Sequence, residues 1–181
     1  MIQFSDKQVR IADATDTAAV TRLLNGAYRG ESSKQGWTTE AHLIAGEVRT
    51  NEEDLQHIIT RPGSVLLVYN GAEKTIIGCV NLQQHDHSIY LGMLSVSPQL
   101  QGGGIGKKLL LAAEEYAQQM QCATVYMTVI SARTELISWY QRHGYSDTGE
   151  RKPFIEDDKS GKHLQPLEFM VMDKKIALKK G

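Results

Sequence analysis

The sequence predicts one α/β domain, and three observations carry that prediction. Short β-branched runs alternate along the chain with stretches whose apolar residues recur at helical spacing. A glycine-rich turn stands directly between one such run and the longest amphipathic stretch. No internal repeat, low-complexity tract or linker divides the chain. With 181 residues, 41% of them hydrophobic, the chain can bury a sizeable core, which excludes a mostly disordered protein. The domain is expected over residues 1–181, with its core at about 8–174 and a frayed tail at 175–181.

Val9-Arg10-Ile11 predicts a first strand. Asp13 and Asp16 then offer capping oxygens to a helix that carries Ala19, Val20, Leu23, Leu24 and Ala27 on one face. Thr38-Thr39-Glu40, followed by Leu43, Ile44 and Val48, predicts a second helix, and Asn51-Glu52-Glu53-Asp54 begins a third through Leu55, Ile58 and Ile59. Arg61-Pro62-Gly63 stops it. Val65 to Tyr69 and Thr75 to Val80 flank Asn70-Gly71 as a hairpin, and a further strand runs from about His87 to Val96.

Ile105, Leu109, Leu110, Ala113, Tyr116, Ala117 and Met120 share one face of a long helix. Ala123 to Ile130 reads as a buried strand, and Thr134 to His143 as a helix closed by Gly144. Tyr145 to Glu150 and Leu167 to Asp173 are late strands on either side of the polar, turn-rich segment Lys152 to Gln165.

Twenty basic against 21 acidic side chains leave a formal charge of −1, so no global positive field gathers nucleic acid or an anionic membrane. No apolar run approaches the roughly 18 residues of a membrane span, and Met1 to Lys7 lacks a signal peptide's apolar stretch, so a cytoplasmic protein is expected. Cys79 and Cys122 have neither a paired spacing nor a nearby histidine pair and read as reduced core thiols, with no metal site.

The chemistry concentrates in Val96-Ser97-Pro98-Gln99-Leu100-Gln101-Gly102-Gly103-Gly104-Ile105-Gly106-Lys107-Lys108. Glycines at a helix start leave bare N–H groups at the positive end of the macrodipole, a ready site for phosphate, and Lys107 and Lys108 add charge. Two phosphate fingerprints fail on spacing. Walker A needs Ser or Thr where Lys108 stands, and GxGxxG needs glycine where Lys107 or Leu109 stands.

Gln101-Gly102-Gly103-Gly104-Ile105-Gly106 resembles the Q/R-x-x-G-x-G/A motif of the GCN5-related N-acetyltransferases (GNAT) at every defined position. Leu94 to Pro98, the Ala123 to Ile130 strand, Trp139-Tyr140 and His143-Gly144-Tyr145 extend the resemblance over most of the chain. It implies a mixed, mostly antiparallel twisted sheet of about six to seven strands flanked by helices, in which the family's fourth and fifth strands, here Tyr90 to Val96 and Ala123 to Ile130, splay apart. It also implies acetyl-coenzyme A as co-substrate, with Leu94, Ser95 and Val96 along the pantetheine arm and residues Gln101, Gly102, Gly103, Gly104, Ile105, Gly106 and Lys107 around the diphosphate.

The reaction so implied is acetyl transfer to a primary amine by direct attack in a ternary complex, with Tyr140 protonating the departing thiolate. An aromatic on the buried face of a helix is the bland alternative for Tyr140. Arg133 departs from the family, where asparagine is common. It either reaches a coenzyme phosphate or is a solvated residue at a helix start. Tyr90 and Gly92 stand at the family's base positions, so no carboxylate is offered there. His85 and His87 titrate in the right range but read better as an exposed turn around Asp86, and Glu47 and Glu168 have no stronger claim.

Tyr28, Glu31 and Trp37 are candidate acceptor contacts, the acid for an ammonium group and the aromatics for a cation-binding face. The acceptor is a small-molecule amine or a protein or peptide amine, and the chain a monomer or homodimer. A binding module that holds acyl-coenzyme A without turning it over is the alternative that the missing carboxylate and Arg133 motivate.

Overall fold

The computed structural model describes residues 1–29, 33–34, 36, 39–45, 49–156 and 161–180. Strand β1 (Val9–Ile11) leads through a short turn into helix α1 (Thr17–Tyr28). β2 (Ile44–Ala45), α2 (Glu52–Thr60), β3 (Ser64–Asn70), β4 (Ile76–His85) and β5 (Ser88–Val96) follow. Then come α3 (Ile105–Gln119), β6 (Thr124–Ile130), α4 (Thr134–Arg142), β7 (Ser146–Pro153), β8 (Lys162–His163) and β9 (Glu168–Lys175). Seven strands form a sheet in the order β1-β3-β4-β5-β6-β9-β7, parallel only between β5 and β6, while β2 and β8 make a separate antiparallel pair.

Alternation along β3 assigns the two faces of the sheet. Leu66 and Val68 point towards α1 and α2 and pack with Val20, Leu24 and Leu55, while Leu67 and Tyr69 point towards α3 and pack with Leu109 and Ala113. The helices form because their apolar positions fall on one stripe, and side chains cap the start of α2 and of the 3₁₀ turn that leads into α1. Asn51 Oδ1 accepts the Asp54 amide at 2.8 Å at the head of α2. Ahead of α1, Asp13 and Asp16 form a reciprocal capping box, and Asp16 also takes both terminal nitrogens of Arg10 at 2.8 and 2.9 Å. Among the described residues no helix is long and apolar enough to cross a membrane.

Three expectations change. The stretch read as a helix from Thr38 is, among its described residues, a turn over 41–43 followed by β2; Leu43 and Ile44 are buried against Ile130, and Ile44 pairs with His163. The hairpin between β3 and β4 is real, but its loop runs past Asn70-Gly71 through a short 3₁₀ turn at Ala72–Lys74. The tail is not frayed throughout: Ile176 is buried in the core and its amide donates to the Ala123 carbonyl at 2.8 Å. Cys79 and Cys122 are buried free thiols, as expected, and burial pushes the Cys79 thiol up to about 12.

Two irregularities in β5 shape everything that follows. Cys79 faces Ser95 while Asn81 faces Gly92, so β5 carries one residue more than β4 in that interval, and Met93 sits there with φ at 55°. The Tyr28 hydroxyl donates to the Leu94 carbonyl, and the Cys79 thiol approaches the Met93 carbonyl at 3.6 Å, which fixes the bulge from the α1 side. On its other edge β5 pairs with β6 only from Ser88 to Tyr90, against Thr124 to Tyr126, although both strands continue.

The Asp16 cap yields a test with a defined sign. Its carboxyl lies below the ordinary range because it is hydrogen-bonded to Arg10, so its contribution is present above the unfolded carboxylate pKa and is lost as pH falls through the folded value. Asp16→Ala is expected to cost about 1–2 kcal/mol near neutral pH in urea denaturation, with the gap to the wild-type protein closing as pH drops below about 4.

Candidate active site

Where β5 and β6 part, two cavities open. The larger, about 650 Å³, falls within the usual size for a ligand pocket. Leu94, Ser95 and Val96 of β5 form one wall, the turn from Gln101 into α3 forms its head, and Ser138, Trp139, Tyr140, Arg142 and His143 of α4 form the other wall. The smaller, about 140 Å³, lies on the opposite side of the fork and is lined by Tyr28, Glu40, Arg49, Tyr90, Gly92, Thr128, Arg133 and Phe169, among others. Tyr28, Leu94, Leu136 and Tyr140 line both.

The head of the larger cavity is bare backbone for a conformational reason. Gly102 has φ at 89° and Gly104, the residue ahead of α3, has φ at 83°, a region that penalises most side chains. A Cβ built on either would meet nothing within 4 Å, so open space lies in front of both. The first amides of α3 therefore face a void large enough for a diphosphate, with Lys107 beside it. Gly103 is not part of the lining. Lys108 points away, its Nζ donating to the Tyr69 hydroxyl at 3.0 Å and lying 3.6 Å from Asp6.

The carbonyls of Leu94 and Val96, expected along a pantetheine arm, each accept a side-chain donor: the Tyr28 hydroxyl and Gln101 Nε2, the latter at 3.0 Å. A carbonyl oxygen has a second lone pair, so both retain acceptor capacity. Beyond Tyr90 the peptide groups on the β6 side of β5 have no β6 partner.

Periodicity on α4 decides what its residues reach. Glu135, Ser138, Trp139 and Arg142 face the larger cavity, whereas Arg133, Leu136 and Tyr140, at positions i, i+3 and i+7, share the face towards the smaller one. Tyr140 is buried at the boundary, and its hydroxyl has no hydrogen-bond partner among the described residues. Burial raises its pKa well above the ordinary tyrosine range; the neighbouring Tyr28 adds to the rise and Arg133 opposes it. Burial likewise pushes Tyr28 up to about 12. Arg133, read either as a coenzyme contact or as a solvated residue at a helix start, is buried rather than solvated and lines the smaller cavity.

The remaining candidates are placed as follows. His85 and His87 are exposed at the two-residue turn between β4 and β5, and Glu168 is exposed on β9, 3.9 Å from Arg151. Tyr28 offers no vacant aromatic face on one side, because the Arg49 guanidinium lies 4.3 Å from its ring centroid. Glu31, Trp37 and Glu47 lie outside the described residues. Sequence reasoning missed Glu40, Arg49, Thr128 and Phe169. Glu40 takes Nε and Nη2 of Arg29 at 3.2 and 3.1 Å as a buried pair, a contact that no periodicity announces.

Residues 22–145 match the model of a family described as Acetyltransferase (GNAT) family. No curated protein sequence matches the chain. Similar solved structures include the ribosomal-protein-S18-alanine N-acetyltransferase from Escherichia coli, 14% identical with a TM-score of 0.69 over 95% of this chain and 95% of that one. The ribosomal-protein-alanine N-acetyltransferase from Brucella melitensis is 20% identical with a TM-score of 0.68, covering 93% and 99% of the two chains. A chimera of the spermidine N-acetyltransferase from Vibrio cholerae and hSSAT is 16% identical with a TM-score of 0.66, covering 92% and 93% of the two chains. At these identities the structural likeness speaks to the fold.

Proposed function

Because the chain belongs to the GNAT acetyltransferase family, we propose that it moves the acetyl group of acetyl-coenzyme A to a primary amine by direct attack in a ternary complex. One observation carries the reading: the fork between β5 and β6 joins a diphosphate-sized void at a helix start to a second cavity, with a phenol at the junction whose hydroxyl has no hydrogen-bond partner among the described residues. Acetyl-coenzyme A supplies an activated acyl thioester. Amides of the 102–107 turn and the Lys107 ammonium hold its diphosphate, while the free edge of β5 from Leu91 to Val96 takes the pantetheine arm in the manner of an added strand.

Tyr140 holds a proton at the boundary. Burial raises its pKa, so the phenol is protonated at neutral pH and can offer its hydrogen to the sulfur as negative charge builds there, in a dry cavity where the same burial raises the basicity of the thiolate. Strand amides of β5 stabilise charge that develops on the thioester oxygen. The acceptor nitrogen must be neutral to attack, and for a lysine-like amine at neutral pH that costs roughly 4.6 kcal/mol. Tyr90 and Gly92 occupy the stretch of β5 beside the smaller cavity, so among the described residues no β5 carboxylate takes that proton.

Two substitutions test these roles. Tyr140→Phe is expected to lower kcat about 100-fold or more while leaving acetyl-coenzyme A affinity in place; an unchanged kcat removes Tyr140 from the chemistry. Asparagine and aspartate both tolerate the left-handed backbone at position 104, so comparing Gly104→Asp with Gly104→Asn isolates charge. The acidic variant is expected to bind acetyl-coenzyme A about 10-fold or more weakly than the neutral one by calorimetry. Equal affinities would remove the diphosphate from this turn.

A further inference from the structure

We propose that the Tyr90 hydroxyl, braced by Thr128 across the closed end of the fork, takes an N–H of the acceptor amine and turns its lone pair towards the thioester. This rests on acetyl transfer being the activity and assigns the group that meets the nucleophile at the same site.

The fork sets the place. β5 and β6 last pair at Tyr90 and Tyr126, so Tyr90 stands where the strands begin to part, and Thr128, two residues further along β6, shares the face of Tyr126. The Tyr90 and Tyr126 rings are 5.4 Å apart between centroids, and across the opening the Tyr90 and Thr128 hydroxyl oxygens are 3.2 Å apart. Both residues line the smaller cavity. The Tyr90 ring can lean along β5 because position 92 is glycine: a Cβ there would lie 3.1 Å from Tyr90 Cε1 and 3.7 Å from its hydroxyl oxygen. That lean carries the hydroxyl towards the opening. A pantetheine arm laid along the free edge of β5 from Val96 to Leu91 would bring its thioester to the same level.

The pair has hydrogen-bonding capacity to spare. Two hydroxyls offer two donors and four lone pairs, and the bond between them uses one donor and one lone pair. Neither has another hydrogen-bond partner among the described residues. At 3.2 Å their bond is longer than an ordinary O–H···O bond, so a third polar group can share it. On the same lining the Tyr28 hydroxyl is given to the Leu94 carbonyl and Glu40 holds Arg29. Tyr90 also adds to the rise in the Tyr140 pKa, as two phenols within electrostatic reach of each other do. The hydroxyl that meets the nitrogen and the one that meets the sulfur thus converge on one reacting carbon.

With the nitrogen so held, its lone pair forms the C–N bond as the C–S bond breaks. Tyr140 gives its proton to the sulfur, and the proton shed by the nitrogen restores the Tyr140 phenol. Tyr90 keeps its own proton throughout, so it orients the amine and does not deprotonate it.

The test offers spermidine, an alanine-terminated peptide and free lysine as acceptors, measures acetylated product by mass, and follows the acceptor that reacts fastest. Tyr90→Phe keeps the ring and removes the hydroxyl. It is expected to lower kcat about 10-fold or more, with KM, acetyl-coenzyme A affinity and melting temperature little changed. Thr128→Val should lower kcat about 3-fold and Thr128→Ser should restore it. In the Tyr90→Phe background Thr128→Val should add nothing, because Thr128 is a positioning residue that acts through Tyr90. Should Tyr90→Phe fail to fold, Thr128→Val against Thr128→Ser decides on the same readouts. An unchanged kcat, or a fall matched by losses of coenzyme affinity and melting temperature, would overturn the proposal and leave acetyl transfer standing. Acetylation of none of the acceptors would overturn both.

Discussion

β5 cannot satisfy β4 and β6 along its whole length, and the site exists because of that constraint. An extra residue at Met93 bends the strand, and pairing with β6 ends at Tyr90. Unpaired peptide groups are costly when buried, so an edge left open in the middle of a sheet marks a place where another chain-like partner belongs. The Tyr28 hydroxyl on the Leu94 carbonyl and the Cys79 thiol near the Met93 carbonyl hold the bulge in that shape. A non-glycine residue at positive φ persists when its surroundings leave no alternative.

From that fork the remaining parts take their places by ordinary rules. Glycines at 102 and 104 turn the chain sharply from the end of β5 into α3, so the positive end of a well-packed helix points into the opening. α4 closes the other side, and its 3.6-residue period sorts its residues between two compartments, Trp139 and Arg142 to one, Arg133 to the other, Tyr140 to the boundary. Burial raises the pKa of Tyr140 and so keeps its hydroxyl protonated at that boundary.

Most of the fold was legible because its signals are local. Runs of β-branched and apolar residues marked β3 to β6, a single apolar stripe marked α3, and the Gln101 to Gly106 spacing marked the glycine turn at the head of the larger cavity. What the sequence hid depends on contacts distant along the chain. Leu43 and Ile44 look like one side of a helix but are buried against Ile130. The bulge at Met93 leaves no residue-type signature, and the Arg29–Glu40 pair joins residues that no helical or strand spacing relates. The acceptor side was therefore the least readable part, and Arg133 was legible as unusual without its direction being so.

A crystal structure of the protein with acetyl-coenzyme A tests the fork most directly. The account predicts diphosphate oxygens on the amides of the 102–107 turn, pantetheine lying between β5 and β6, and the sulfur beside the Tyr140 hydroxyl. Strands β5 and β6 paired beyond Tyr90 and Tyr126, with the coenzyme seated elsewhere, would contradict it.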